Sequence, residues 1–206
     1  MLNILRHPLL THKLAILRRK ETPTKAFRET LKEIAGLMAY EITRDLPVQK
    51  ITIETPVGIC HTEELASDIV LVPVLRAGLG MVDGISDLIT NARIGHIGIY
   101  RDHDTLKPMT YYSKFPGNLD KSIVMVLDPM LATGGSSSDA IKVLKEHGAR
   151  TIKLVCIVGA PEGIERIKKD HPDVQIYIAG LDEKLNQNGY IVPGLGDAGD
   201  RLFGTK

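Results

Sequence analysis

The stretch Asp128-Pro129-Met130-Leu131-Ala132-Thr133-Gly134-Gly135-Ser136 follows the apolar run Ile123–Leu127 and leads into a helical pattern over Ser137–Glu146. An acidic side chain at a strand's end accepts hydrogen bonds from two neighbouring hydroxyls, such as those of a ribose. Thr133 through Ser136 form a small glycine-bearing loop at a helix N-terminus. Unpaired backbone N–H groups and the helix dipole there favour a phosphate. Thr and Ser hydroxyls add donors without bulk. The Gly-x-x-x-x-Gly-Lys pattern of a Walker A loop, with its lysine, is absent. The same residues would also serve a plain strand-to-helix turn, with glycine for backbone geometry and serine for capping. Asp128 at the strand's end favours the phosphate-and-sugar reading.

Four further segments stand out. Arg76-Ala77-Gly78-Leu79-Gly80 follows the run Ile69–Leu75, where two glycines would permit close approach of a pyrophosphate and a guanidinium would neutralise its charge, or where a plain glycine-rich turn would carry its arginine on the surface. Tyr100-Arg101-Asp102-His103-Asp104 follows Ile94–Ile99 at the same edge. His103 reads as solvated surface and takes no role. Residues 107–118, with Tyr111-Tyr112 and Pro116-Gly117, form a long segment suited to a flap or a surface hairpin. The tail from Gly189 to Arg201 holds a literal Gly-x-Gly-x-x-Gly at Gly194, Gly196 and Gly199. Only seven residues follow Gly199, so no βαβ unit can complete a dinucleotide site there. The tail reads instead as a rigid loop whose main-chain groups could pair with a flat polar ring, or as a loop packed on the body of the domain.

The elements that position these segments follow from periodicity. The runs Ile69–Leu75, Ile94–Tyr100, Ile123–Leu127, Ile152–Val158 and Val174–Ile178 are continuously apolar, as strands buried on both faces should be. Helical stretches intervene at Ser137–Glu146 and Glu162–Lys169, which predicts an α/β fold with a parallel sheet and flanking helices. Ligands of such sheets sit outside the carboxyl ends of the strands, where the Asp128, Arg76 and Arg101 segments fall. Pro73 fits its strand awkwardly, since proline favours edges and bulges. Residues 22–46 read as a helix capped by Thr22, with Pro23 in its first position. Phe27, Leu31, Ile34, Met38 and Ile42 share its inner face.

Composition narrows the classes. The chain has 206 residues, 43% hydrophobic and 25% charged, which suits a single globular domain over 1–206 and excludes a disordered chain. With 26 Lys and Arg against 25 Asp and Glu, its net charge of +1 argues against a nucleic-acid or membrane-surface binder. Any anion must be held locally. Cys60 and Cys156 lack metal or redox spacing and predict two buried or half-buried thiols in a reducing compartment, the cytoplasm. No apolar run is long enough to cross a bilayer.

The segment Val126–Ser136 resembles the ribose-phosphate fingerprint of phosphoribosyltransferases, and its Asp-Pro-Met-Leu-Ala-Thr-Gly-Gly-Ser form resembles the uracil branch. Most phosphoribosyltransferases carry two adjacent acids here. Pro129 takes the second place, leaving Asp128 as the only acid available there for ribose hydroxyls. The resemblance extends from Arg6-His7-Pro8 to the C-terminal residues, with a parallel-sheet core and a small C-terminal hood. It implies transfer of a phosphoribosyl group from 5-phosphoribosyl 1-diphosphate to uracil, giving uridine monophosphate. It implies diphosphate and sugar contacts from Arg76, Ala77, Gly78, Arg101, the whole of Asp128–Ser136 (Asp128, Pro129, Met130, Leu131, Ala132, Thr133, Gly134, Gly135 and Ser136) and Asp197. Ile191, Gly196, Asp197 and Ala198 would line the uracil site. Asp128, Arg76 and Asp197 would carry the catalysis, with Mg²⁺ brought mainly on the substrate's diphosphate. A homodimer or larger assembly is implied, as is a response to guanosine triphosphate in some relatives, for which this sequence offers no locatable site. Two rivals stand beside this reading. One is a nucleotide-linked oxidoreductase built on Gly78-Leu79-Gly80 and Gly84, whose spacing departs from the dinucleotide fingerprint. The other is a non-catalytic sensor of phosphoribosyl diphosphate on the same fold.

Overall fold

A computed structural model of the chain describes residues 1–101 and 108–205. In order, the elements are β1 (Leu2–Ile4), α1 (Pro8–Arg18), α2 (Thr24–Ile42), β2 (Val48–Glu54), β3 (Ile59–Leu65), β4 (Ile69–Leu75), α3 (Leu79–Ser86), β5 (Arg93–Ile94) and β6 (His96–Arg101). There follow β7 (Pro108–Lys114), a 3-10 turn at Leu119–Lys121, β8 (Ile123–Leu127), β9 (Met130–Leu131), α4 (Gly135–Glu146), β10 (Thr151–Gly159) and α5 (Pro161–Asp170). The chain finishes with β11 (Gln175–Leu181), β12 (Lys184–Leu185), β13 (Ile191–Val192) and α6 (Ala198–Phe203).

The five apolar runs build one twisted sheet in the order β1-β11-β10-β8-β4-β6-β7, with β5 beside β4 and β9 beside β10. Every pair is parallel except β6–β7. Continuous apolarity is explained by two cores. Ile123, Met125 and Leu127 face the layer of α1, α2 and α3, while Val124 and Val126 face that of α4 and α5. Both sets are almost wholly buried, and each such side chain contributes about 1.5–3 kcal/mol by leaving water. The fold class predicted from periodicity is the one observed.

Several local expectations need correction. The helix predicted over 22–46 spans Thr24–Ile42, and Pro23 rather than Thr22 is its N-cap. The Thr22 hydroxyl instead donates to the Ile16 carbonyl at 2.6 Å, closing the turn after α1. The inner face holds as predicted, with Phe27, Leu31, Ile34, Met38 and Ile42 fully buried. Pro73 is tolerated inside the sheet because β4 changes partner there, from β5 at Val70–Leu71 to β6 at Val74–Leu75. Within residues 107–118, Pro108–Lys114 form an antiparallel strand against β6, so this part is a hairpin arm; Lys107 lies outside the described residues. Asp102, His103 and Asp104 also lie outside them. The tail is not loop throughout, since α6 occupies Ala198–Phe203.

Glycine fixes the helical layer. A Cβ on Gly84 would stand 2.0 Å from the Lys32 carbonyl oxygen, so α3 meets α2 backbone to backbone. That contact gives Gly84 a packing role. At the C-terminal end of α2, the buried Lys153 of β10 reaches Asp45 and donates to the Ile42 carbonyl at 2.7 Å. A helix C-terminus, rich in unpaired carbonyls, is a favourable seat for a buried cation. No helix among the described residues is long and apolar enough to cross a membrane.

Candidate functional site

Leaving the sheet between two neighbours, β8 delivers Asp128 to its carboxyl edge. The Asp128 N–H donates to the Val155 carbonyl at 3.1 Å, and the Pro129 carbonyl accepts from Ile157 and Val158, both at 3.1 Å. The turn is therefore laced to β10 before the helix begins. Asp128 accepts from the Ser137 hydroxyl at 2.9 Å and from the Met130 N–H at 3.3 Å. Burial nevertheless pushes its carboxyl up to about 6, outweighing those two bonds. The group is thus poised to gain or lose a proton near neutrality, and a cationic or hydroxyl-bearing ligand would favour its ionised form.

The next residues turn sharply into α4. Gly134, its N-cap, has φ +75°, and a Cβ there would lie 2.9 Å from the Gly163 carbonyl oxygen. Only glycine adopts this conformation without cost. α5 backs the turn closely, since a Cβ on Gly163 would stand 2.4 Å from the Ala132 carbonyl oxygen. α4 begins without a side-chain cap and with no acidic residue in its first turn. Its N-terminal amides are the anion-binding type of helix end.

The Arg76 loop lies against this strand end. Gly78 is the contact: its Cβ would fall 2.3 Å from the Leu127 carbonyl oxygen, one residue before Asp128. The peptide between Leu75 and Arg76 is cis. Arg76 itself is exposed, with a guanidinium nitrogen 3.6 Å from an Asp200 carboxylate oxygen of α6. That contact brings the loop to the tail.

The tail folds over the edge as a hood. β12 and β13 pair as a short hairpin, and Gly194 and Gly196 take φ +62° and +80° between β13 and α6. Asp197 caps α6, accepting from the Asp200 N–H at 2.9 Å. Two arginines clamp the hood to the end of α1. Arg18 makes a two-pronged ion pair with the buried Asp182 at 2.5 and 2.8 Å and donates to the Gly194 carbonyl at 2.8 Å. Asp182 also accepts from the Gly194 N–H at 2.9 Å. Arg201 donates to the Leu17, Leu195 and Arg19 carbonyls and lies over the Phe27 ring.

Between turn and hood lies a cavity of about 240 Å³. Of the residues singled out from sequence, Ala77, Asp128, Met130 and Ala132 line it from the sheet edge. Ile191, Gly196, Asp197 and Ala198 line it from the hood. Thr133 stands beside it, its methyl 3.9 Å from a Cβ position on Gly189. Gly134, Gly135 and Ser136 continue from that wall into α4. Leu131 is fully buried in the core and Pro129 is buried, so only their backbones could meet a ligand. Arg101 closes β6, and its side chain lies outside the described atoms. Sequence reasoning missed Tyr190 on the hood wall, Ser137 beneath Asp128, and the Arg18–Asp182 clamp. Ser137 was legible as part of the serine run; the clamp spans 164 residues and left no local signal.

A strand-end acid, a glycine turn into a helix N-terminus and a hood over the sheet's carboxyl edge define a phosphoribosyltransferase-type protein. A hypoxanthine-guanine phosphoribosyltransferase from Bacillus anthracis shares the fold at TM-score 0.51 with 15% identity, over 77% of this chain and 80% of that one. A solved protein from Aquifex aeolicus superposes at TM-score 0.95 with 40% identity, covering 100% of this chain and 99% of its own. A curated relative from Halalkalibacterium halodurans, named uracil phosphoribosyltransferase, is 60% identical over 201 residues, 97% of this chain and 96% of its own. The sequence model of the uracil phosphoribosyltransferase family matches residues 4–205. The chain belongs to that family.

Proposed function

We infer that the chain transfers the 5-phosphoribosyl group of 5-phosphoribosyl 1-diphosphate to uracil, releasing pyrophosphate and forming uridine monophosphate. The observation that carries this reading is the shared cavity: the strand-end carboxylate of Asp128 forms one wall and the hood's Ile191 and Gly196–Ala198 the other. In this reading Asp128 accepts from the ribose hydroxyls, and the amides of Thr133–Ser136 hold the 5-phosphate. The Arg76 loop, with Ala77, Gly78 and Arg101, takes the diphosphate. Main-chain groups around Ile191 and Gly196–Ala198 pair with the alternating N–H and C=O groups of uracil, and Asp197 lies between base and diphosphate.

Substitution at the anomeric carbon proceeds with oxocarbenium character, so it asks for positioning and charge stabilisation more than for a strong acid or nucleophile. Mg²⁺ carried by the donor would supply charge neutralisation to the leaving diphosphate. Among the described residues no group of three or more His, Cys, Asp or Glu is placed to hold a metal. One or two carboxylates, Asp128 and Asp197, are what the cavity offers, and Mg²⁺ commonly keeps waters and takes few protein ligands.

The whole chain, 1–206, acts as one domain in this reading and works in the cytoplasm, where Cys60 and Cys156 stay as free thiols. It assembles as a homodimer or larger. Support for assembly comes from the ribbon β2–β3, which pairs with no other strand among the described residues and exposes Val48, Ile53, Val57, Ile59 and Leu65. A lone two-stranded ribbon is marginal in water, and a second copy would cover it. The inner face of α2 is spent on the chain's own core, and its outer face exposes Tyr40 among polar side chains. Regulation by guanosine triphosphate has no support in the geometry and forms no part of this reading.

The test is direct. Purified protein with Mg²⁺, phosphoribosyl diphosphate and radiolabelled uracil is expected to yield labelled uridine monophosphate, with cytosine, hypoxanthine and guanine far poorer acceptors. No labelled nucleotide from any base would overturn the reading, and a purine preference would overturn its choice of base.

A further inference from the structure

The turn from Asp128 to Ser137 contains no Lys or Arg, yet a cation stands directly behind it. Arg166 of α5 packs its Cβ 3.3 Å from a Cβ position on Gly134, and a guanidinium nitrogen 3.5 Å from one on Gly135. The guanidinium is braced by Asp170, whose carboxylate oxygen lies 3.3 Å from its Nε. Asp170 is itself engaged, accepting from the buried Ser138 hydroxyl at 2.9 Å, which joins the brace to α4. Asp139, the next residue of α4, buries one carboxylate oxygen that has no hydrogen-bond partner among the described residues. Burial raises the Asp139 carboxyl and the nearby Arg166 charge opposes that rise.

This placement runs against ordinary helix electrostatics. A helix N-terminus carries partial positive charge and is stabilised by acids, so a guanidinium beside it is a cost, which the Asp170 ion pair offsets. α4 has no acid in its first turn to balance it. Asp139 and Asp170 lie deeper along the helices and offset the charge without occupying the turn.

We propose that Arg166 is a positioning residue for the phosphate end of the sugar donor: braced by Asp170, it adds from behind the cation that the Thr133–Ser136 turn lacks. The inference rests on the functional reading above, which puts a phosphate at that turn. It acts through the turn and touches no reacting atom, so it contributes to donor binding more than to turnover.

The experiment compares Arg166→Gln and Arg166→Met, which remove the charge, with Arg166→Lys, which keeps it. Both neutral variants are expected to raise the KM for phosphoribosyl diphosphate about tenfold, with kcat and the KM for uracil within about twofold of wild type. Arg166→Lys should recover most of the loss. Calorimetric titration gives a second readout: ribose 5-phosphate should bind about tenfold more weakly to the neutral variants, while inorganic pyrophosphate, directed to the Arg76 loop, should bind unchanged. An unchanged ribose 5-phosphate affinity in both neutral variants overturns the proposal. So does an equal loss in Arg166→Lys, which would mark a packing role, or an equal loss for pyrophosphate, which would mark a diffuse field. A wild-type protein that binds ribose 5-phosphate but makes no nucleotide fails the functional reading alone and leaves this test intact.

Discussion

The turn after β8 and the hood after β11 meet at one cavity, but they are built in different ways. The turn is made by neighbours in sequence: a strand end, Asp128 over Ser137, a left-handed Gly134 and the first residues of α4. The hood is made by partners far apart, with Arg18 reaching Asp182 across 164 residues and Arg201 reaching Leu17 across 184. A site wall assembled locally is rigid as soon as its sheet forms. One clamped at long range is rigid only when the last element docks. The difference predicts that damage to the turn will fall on chemistry and the sugar donor, and damage to the clamp on stability and the base.

The largest effect should come from the turn. Asp128→Asn keeps the hydrogen bond from Ser137 but loses the charge, and activity should fall by about 10²–10³-fold. The same variant should be more stable than wild type at pH 7.5, by about 1–3 kcal/mol. The folded state raises this carboxyl to about 6, so it holds the proton more tightly than the unfolded chain. Stability from this group is therefore fully present below pH 4 and lost as pH rises through about 6, where the buried charge forms. Thermal midpoints of the ligand-free proteins should diverge at pH 7.5 and converge below pH 4. In wild type, kcat/KM for phosphoribosyl diphosphate should fall as pH drops below about 6, with this limb missing from the variant. Equal midpoints at both pH values would remove the burial argument.

Next in size is the clamp. Arg18→Ala leaves the Asp182 carboxylate, 4% exposed, without its cation, which should cost about 2–4 kcal/mol. The KM for uracil should rise more than that for the sugar donor, and amide exchange should quicken over Leu195–Ala198. A rise in both KM values by the same factor would erase the contrast drawn between the two walls. Gly134→Ala should cost about 1–2 kcal/mol through its left-handed backbone and its contact with Gly163. Its kinetic loss should appear in the sugar donor's KM, measured beside the midpoint. Smallest of all, neutralising the exposed pair Lys25 and Glu29 should shift stability by no more than about 0.5 kcal/mol and leave both KM values alone. A larger change would mean that the overall field, and not local groups, holds the anion.

Legibility from sequence follows the same division. β4 and β8 have the boundaries their apolar runs predict, because strands buried on both faces need unbroken apolarity. The inner face of α2 was equally plain. What escaped were elements whose signal lies elsewhere. β1 is three residues long and gains its place only by pairing with β11. α1 spreads apolar residues beyond its buried Leu10, Leu14 and Leu17 to the exposed Leu9, and its start is capped by the His7 ring, an uncommon cap. β2 and β3 are mostly exposed and lack a core-facing pattern. At the site, the Asp128 turn could be read because residue type and spacing coincide with their chemistry. Arg18, Asp182 and Arg201 could not, because an arginine's partner is not written beside it. Gly78 and Gly84 were legible as glycines but not in purpose: each admits a carbonyl from another element.

The buried Lys153 has a consequence that reaches the far side of the molecule. A helix held on a sheet by oily contacts alone can slide along its axis at little cost, since one aliphatic neighbour replaces another. Fixing the Lys153 ammonium to the carbonyl of Ile42 ends that freedom at one tip of α2. At the other tip Arg28 grips the Leu202 carbonyl at 2.8 Å, tying α2 to α6. The stretch of helix from Arg28 to Ile42 serves as a ruler, on the order of 21 Å long, zeroed on β10 and read out at the hood. The seat of α6 is thus tied, through α2, to the opposite end of the sheet.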